Sequence, residues 1–192
     1  DEWLNEVKER QPELRDEKMI RYKEEFGLPE YDIEILTASK HLADLFEETN
    51  AMVEKPKEVS NWLMGETMRL VKESEMDVDD ITFSPKHLAK LIEMVDDGAI
   101  NRKVAKQVFE EIFKKDVEPE SYVEENGLKS MNDEGALRTT IEEIVAKNPQ
   151  SVEDYRAGKK KAIGFLVGQT MRATQGKADP GMVNKILKEI LG

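Results

Sequence analysis

The sequence predicts an all-α protein, a helical bundle domain followed by a small helical tail. Apolar residues recur at three- and four-residue intervals along nearly the whole chain, and no run of β-branched residues alternates with polar ones. Proline, glycine and capping residues punctuate that pattern at helical lengths. The chain has 192 residues, 39% apolar and 36% charged, enough apolar surface for one large or two small cores. No apolar run approaches the ~20 residues a bilayer span requires, so no membrane partner is expected. Cysteine is absent, which excludes disulfides, thiolate metal sites and cysteine nucleophiles and fits a reducing, cytoplasmic setting.

Each helix has its own signature. Over residues 13–26, apolar residues fall at Leu14, Met19, Ile20, Tyr22 and Phe26, and Gly27 and Pro29 end the segment. A second helix, over about 31–49, buries Ile35, Leu36, Leu42, Leu45 and Phe46, and a third, over about 57–74, carries Val59, Trp62, Leu63, Met68, Leu70 and Val71. Ser84 before Pro85 starts a fourth, because a hydroxyl can cap free amides and proline tolerates the first turn. It buries Leu88, Leu91, Ile92 and Val95 and stops at Gly98. Asn101 caps the next, with Val104, Val108, Ile112 and Phe113 on one side.

Glu118-Pro119-Glu120 and Asn126-Gly127 then interrupt the helical pattern. A helix over 133–147 follows, carrying Leu137, Ile141, Ile144 and Val145, and Asn148-Pro149 ends it. Ser151 caps a short turn to Ala157, a basic helix closes at Gly176, and Asp179-Pro180 opens a last helix with Val183, Ile186, Leu187, Ile190 and Leu191. The expected organisation is a helical domain over 1–126, its first 30 residues a lead-in from a preceding domain, and a tail domain over 127–192.

Charge divides the chain in the same place. The whole carries a formal −12; residues 1–127 hold 18 basic and 33 acidic groups, residues 128–192 hold 11 and 8. The tail is therefore the part able to attract a polyanion. From Tyr155 to Ala178 there is no acidic residue, yet Arg156, Lys159, Lys160, Lys161, Arg172 and Lys177 fall within it. At about 100° per residue, Ile163, Val167, Thr170, Met171 and Thr174 form the core face of this helix. Lys161, Gly168, Arg172 and Gln175 point the opposite way, with Gly164 and Phe165 at the margins.

Lysines at a helix start oppose its dipole, a cost that a bound polyanion would relieve. Gly164 and Gly168, lacking Cβ atoms, would let a sugar-phosphate strand lie near the axis; the same spacing suits close packing of another helix. Phe165 is expected to pack against the helix over 133–147. His41 and His87 have no sequence neighbours that suggest metal or acid–base work, and Asp77, Asp79 and Asp80 lack the glycine and final glutamate of a calcium loop. Trp62 reads as core and Trp3 as a surface anchor. With no glycine-rich phosphate loop, Gly-x-Ser-x-Gly or His-Glu-x-x-His, no catalytic and no metal residues are assigned.

The stretch Gly158-Lys159-Lys160-Lys161-Ala162-Ile163-Gly164-Phe165-Leu166-Val167-Gly168-Gln169-Thr170-Met171-Arg172, with Thr174-Gln175-Gly176-Lys177-Ala178-Asp179-Pro180, resembles the C-terminal signature of the B subunits of aspartyl/glutamyl-tRNA amidotransferases. The small YqeY proteins share it. Upstream, Gly27-Leu28-Pro29-Glu30-Tyr31-Asp32 with Leu36-Thr37, Ser60-Asn61-Trp62, Asp97-Gly98-Ala99-Ile100 with Ala105-Lys106, and Asn132-Asp133-Glu134 look like that family's ordered landmarks.

The resemblance implies a fragment made of the helical and tail domains, with the catalytic cradle, its ATP and its Mg preceding Asp1. The fragment itself would be inert and hold no cofactor. Its implied partners are Glu-tRNA(Gln) and/or Asp-tRNA(Asn), and the A and C subunits through the parent protein, not DNA. Lys159, Lys160, Lys161, Gly164, Gly168, Arg172 and Lys177 would face tRNA, which proteins recognise largely by shape, phosphate and 2′-hydroxyl contacts. A free-standing YqeY-like, tRNA-linked protein and a protein-docking module working through the Gly164/Gly168 surface are the alternatives.

Overall fold

The computed structural model describes residues 13–131 and 133–192, and all regular structure among them is helical. In chain order the helices are α1 (Arg15–Glu24), α2 (Glu30–Leu36), α3 (Lys40–Val53), α4 (Pro56–Trp62), α5 (Met68–Glu73), α6 (Pro85–Asp96), α7 (Arg102–Lys115), α8 (Pro119–Glu125), α9 (Glu134–Lys147), α10 (Pro149–Arg156), α11 (Lys161–Ala173) and α12 (Pro180–Leu191). The expected surface anchor Trp3 and the landmark residue Asn132 lie outside the described residues. The chain forms two compact units: one runs to Ile92 and takes Glu110–Asp116, and the other takes Glu93–Phe109 and Val117–Gly192.

The first unit is built on aromatics and ion pairs. Tyr22, Phe26 and Phe46 meet with ring centroids 5.0–5.4 Å apart, a spacing and tilt that suit aromatic quadrupoles. The Tyr22 hydroxyl donates to Glu47 Oε1 at 2.8 Å, and Lys18 and Arg21 pair with the same carboxylate at 3.0 and 2.9 Å. Burial raises the Glu47 pKa, but these three donors outweigh it and hold the carboxyl below its ordinary range. Arg69 similarly gathers Glu66, Glu73 and Glu110, each at 2.9 Å.

Three elements depart from the sequence expectation. The helix expected over 31–49 is two helices, because Ser39 leaves helical geometry and its hydroxyl caps α3 by accepting Leu42 N–H at 3.1 Å. The helix expected over 57–74 contains a π-helical turn at Leu63–Thr67, where the buried Thr67 hydroxyl donates to the Trp62 carbonyl at 3.1 Å. This supplies a partner where the i→i−4 ladder is interrupted. Finally, Glu118-Pro119 starts α8: the Glu118 carboxylate accepts from the amides of Glu120 and Ser121.

In the second unit, α9–α12 enclose an aliphatic core of Leu137, Ile141, Ile144, Val152, Leu166, Val183, Ile186, Leu187 and Leu191. Asp133 caps α9 and Asp179 caps α12, at the two positions where the sequence places the starts of those helices. Ser151 does not cap α10; it lies inside that helix, whose N-cap position is Asn148.

A candidate nucleic-acid interface on α11

Helix α11 packs against α9, α10 and α12. Leu166 and Thr170 are fully buried and Thr174 nearly so, with Ile163, Val167 and Met171 partly covered. The buried seam is therefore centred on Leu166, Thr170 and Thr174. It is turned toward Leu166, which the sequence expectation left out of the core face. The threonines satisfy themselves locally: Thr170 donates to the Leu166 carbonyl and Thr174 to the Thr170 carbonyl, both at 2.9 Å.

Turning the seam turns the opposite face. Phe165, expected in the core, is 47% exposed, because it lies almost diametrically across the helix from Thr170. Around it, Lys161, Gly164, Gly168 and Arg172 are all exposed. A Cβ built on Gly164 or Gly168 would meet nothing within 4 Å, so no part of the described chain packs there.

The start of the helix is cationic and lacks a side-chain cap. Lys160 occupies the N-cap position, where an ammonium group cannot accept a hydrogen bond. Lys159 differs from its neighbours: its Nζ lies 2.9 Å from Asp154 Oδ1, and this hydrogen bond draws the Asp154 carboxyl below its ordinary range. Lys160, Lys161, Arg172 and Lys177 have no acidic partner among the described residues. Lys177 sits in the α11–α12 loop, half-buried, away from the three lysines at the helix start.

The other charged candidates have structural partners. His87 Nδ1 donates to Asp116 Oδ1 at 2.7 Å, and the same oxygen accepts Ser84 N–H at 2.7 Å, which closes the start of α6. His41 Nε2 donates to the Ile81 carbonyl at 2.7 Å. Asp77 accepts from Asp79 N–H, Asp80 from Asp77 N–H, and Asp79 from the Ser39 hydroxyl. Among the described residues no group of three or more His, Cys, Asp or Glu side chains could hold a metal ion. No described helix is long and apolar enough to cross a membrane.

Comparison with known proteins gives this arrangement a context. The chain is 62% identical over 191 residues to the aspartyl/glutamyl-tRNA(Asn/Gln) amidotransferase B subunit of Agathobacter rectalis, with 58% identity to that of Lachnoclostridium phytofermentans and 44% to that of Thermotoga maritima. Each similarity covers 100% of this chain and 40% of the relative, so the chain spans about two-fifths of the length of these proteins. A family described as "GatB domain" matches residues 44–191, the outward face of α11 included. With that match running through both compact units, the chain belongs to the GatB domain family.

Proposed function

We propose that the chain is the tRNA-holding C-terminal part of the B subunit of an aspartyl/glutamyl-tRNA(Asn/Gln) amidotransferase. It positions misacylated tRNA, Glu-tRNA(Gln) or Asp-tRNA(Asn), for ATP-dependent transamidation in a catalytic cradle outside this chain. The observation that carries this reading is the outward face of α11, where exposed cations without acidic partners flank open glycines and an exposed aromatic ring. Lys160, Lys161 and Arg172 can neutralise phosphates. Gly164 and Gly168 leave room for a backbone to approach, and Phe165 offers a ring on which an unpaired base can stack. The acidic residues elsewhere disfavour non-specific polyanion binding to most of the remaining surface.

The test is a tRNA titration of the chain carrying Lys160→Ala, Lys161→Ala and Arg172→Ala together. Affinity should fall, and the slope of log K against log salt should shrink by about 0.7–0.9 for each phosphate no longer neutralised. Melting temperature should hold, because these side chains contribute no packing. Unchanged affinity with intact salt dependence would remove α11 from the interface. A stable protein complex through the same face without RNA would favour the docking alternative, to which the open glycines are equally suited. The chain alone should neither hydrolyse ATP nor release ammonia from glutamine; turnover that survives repurification of an independently expressed sample would contradict the assignment of chemistry to the parent protein.

A further inference from the structure

The loop that follows α11 is fastened to the turn that precedes α7. Asn101 Nδ2 donates to the Gly176 carbonyl at 2.6 Å and approaches the Ala178 carbonyl at 3.4 Å, while its Oδ1 accepts Val104 N–H at 2.9 Å and caps α7. Two backbone bonds flank this contact, Ser130 N–H to the Ala99 carbonyl at 2.7 Å and Met131 N–H to the Lys177 carbonyl at 3.2 Å. One amide side chain thus starts a helix and holds a loop some 75 residues away in sequence.

The clasp joins two stretches of unusual charge. Residues 98–109 contain no acidic group but hold Arg102, Lys103 and Lys106, and residues 155–178 are the acid-free stretch that includes α11. Lys103 is exposed, and its Nζ stands 3.3 Å from the position a Cβ on Gly176 would take. Like Lys177, which neighbours Gly176 in the chain, Lys103 has no acidic partner among the described residues. In a chain of net charge −12, two ammonium groups beside one loop that no carboxylate neutralises remain available to an external anion.

We propose that the RNA-binding surface of α11 continues across this clasp onto the first turn of α7. Lys103 contacts the phosphate backbone, and Asn101 is the positioning residue that keeps the two cationic segments in register. The inference rests on the RNA reading of α11 and adds residues that lie outside it. Asn101→Asp separates the two jobs of Asn101: a carboxylate still caps α7 by accepting Val104 N–H, but it has no donor for the Gly176 carbonyl and repels it.

The experiment uses the full chain, an unmodified tRNA(Gln) transcript, heparin as a shapeless polyanion, and amide hydrogen exchange without RNA. Lys103→Ala should weaken tRNA binding several-fold and shallow its salt slope by about 0.7–0.9. Asn101→Asp should speed exchange at Ser130 and Met131 by about tenfold or more, with core amides of α11 unchanged. It should weaken tRNA more than heparin, whose smaller loss reflects the added charge alone, and Lys103→Ala should add little in the Asn101→Asp background, because the effects of coupled residues are not additive.

Unchanged tRNA affinity in Lys103→Ala overturns the extended surface, and so does full additivity of the two substitutions. Exchange that rises throughout the tail in Asn101→Asp overturns the positioning role, since Asn101 would then only stabilise the fold. If Lys103→Ala weakens tRNA while the triple alanine variant of α11 does not, the α11 reading fails and the role of α7 stands. If neither variant weakens it, both readings fail.

Discussion

Both units pair some cations with carboxylates and leave others, such as Lys23, Lys57, Lys72 and Lys86 in the first, without an acidic partner among the described residues; they differ in how those cations are gathered. In the first, Lys18 and Arg21 converge on Glu47, Arg69 holds three glutamates, and Lys40 pairs with Asp44. In the second, Arg138 pairs with Glu189 and Lys159 with Asp154, but Lys160, Lys161, Arg172, Lys177 and Lys103 have no acidic partner among the described residues. The packing differs in parallel: the first unit stacks Tyr22, Phe26 and Phe46 inside, while the aliphatic core around α11 leaves Phe165 outside. Cations that meet carboxylates within the fold contribute to its stability, and cations kept apart from them remain available to an external anion.

The largest expected effects separate the cores. Phe46→Ala should cost about 3–5 kcal/mol and Leu166→Ala about 2–5 kcal/mol, since both side chains are fully buried. If α9–α12 fold as their own core, Phe46→Ala should melt the first unit while hydrogen exchange in α11 stays protected. Equal loss of protection in both units would remove the contrast.

A smaller effect tests the ion pairs. Glu47→Gln should cost about 1 kcal/mol after allowance for partial exposure. The Glu13 and Glu47 carboxyls lie below their ordinary value of 4.5, Glu13 through its hydrogen bond to Arg21 and Glu47 through donors that outweigh its burial. A lowered carboxylate pKa contributes stability that is fully present above the unfolded value and is lost as pH falls through the folded one. Denaturant melts below pH 4.5 should therefore show the first unit weakening, with the loss reduced in Glu47→Gln. An identical acid profile in the wild type and the variant would show that these pairs contribute nothing.

Much of the fold was legible because its helix ends are written in local chemistry. Asn101 accepts the amide that the sequence assigns to a capping residue, and Asp133 and Asp179, at helix starts the sequence also places, accept helix amides in the same way. What escaped was chemistry with two readings. Ser39 looks like a helix interior residue until its hydroxyl is seen on Leu42 N–H, and the Leu63–Thr67 turn has apolar spacing compatible with an ordinary helix. On α11, the apolar count alone placed the seam toward Met171, whereas the neighbours α9, α10 and α12 draw it toward Leu166 and so expose Phe165. The basic run on α11 was visible as a long absence of acid. The shorter acid-free run over 98–109 carries the same signal, but its meaning depends on Asn101 reaching Gly176, an approach no local pattern encodes.

The most direct measurement is Gly168→Leu, with melting temperature and tRNA affinity taken on the same sample. A side chain at this position enters open space, and replacing a helix-interior glycine removes a penalty of roughly 0.5–1 kcal/mol. If the outward face of α11 holds RNA, the variant should melt at the same or a higher temperature and bind tRNA more weakly, because leucine occupies the room a phosphate strand needs. A lower melting temperature with unchanged tRNA affinity would contradict the account, since it would mean that this face is closed within the fold and RNA does not approach it.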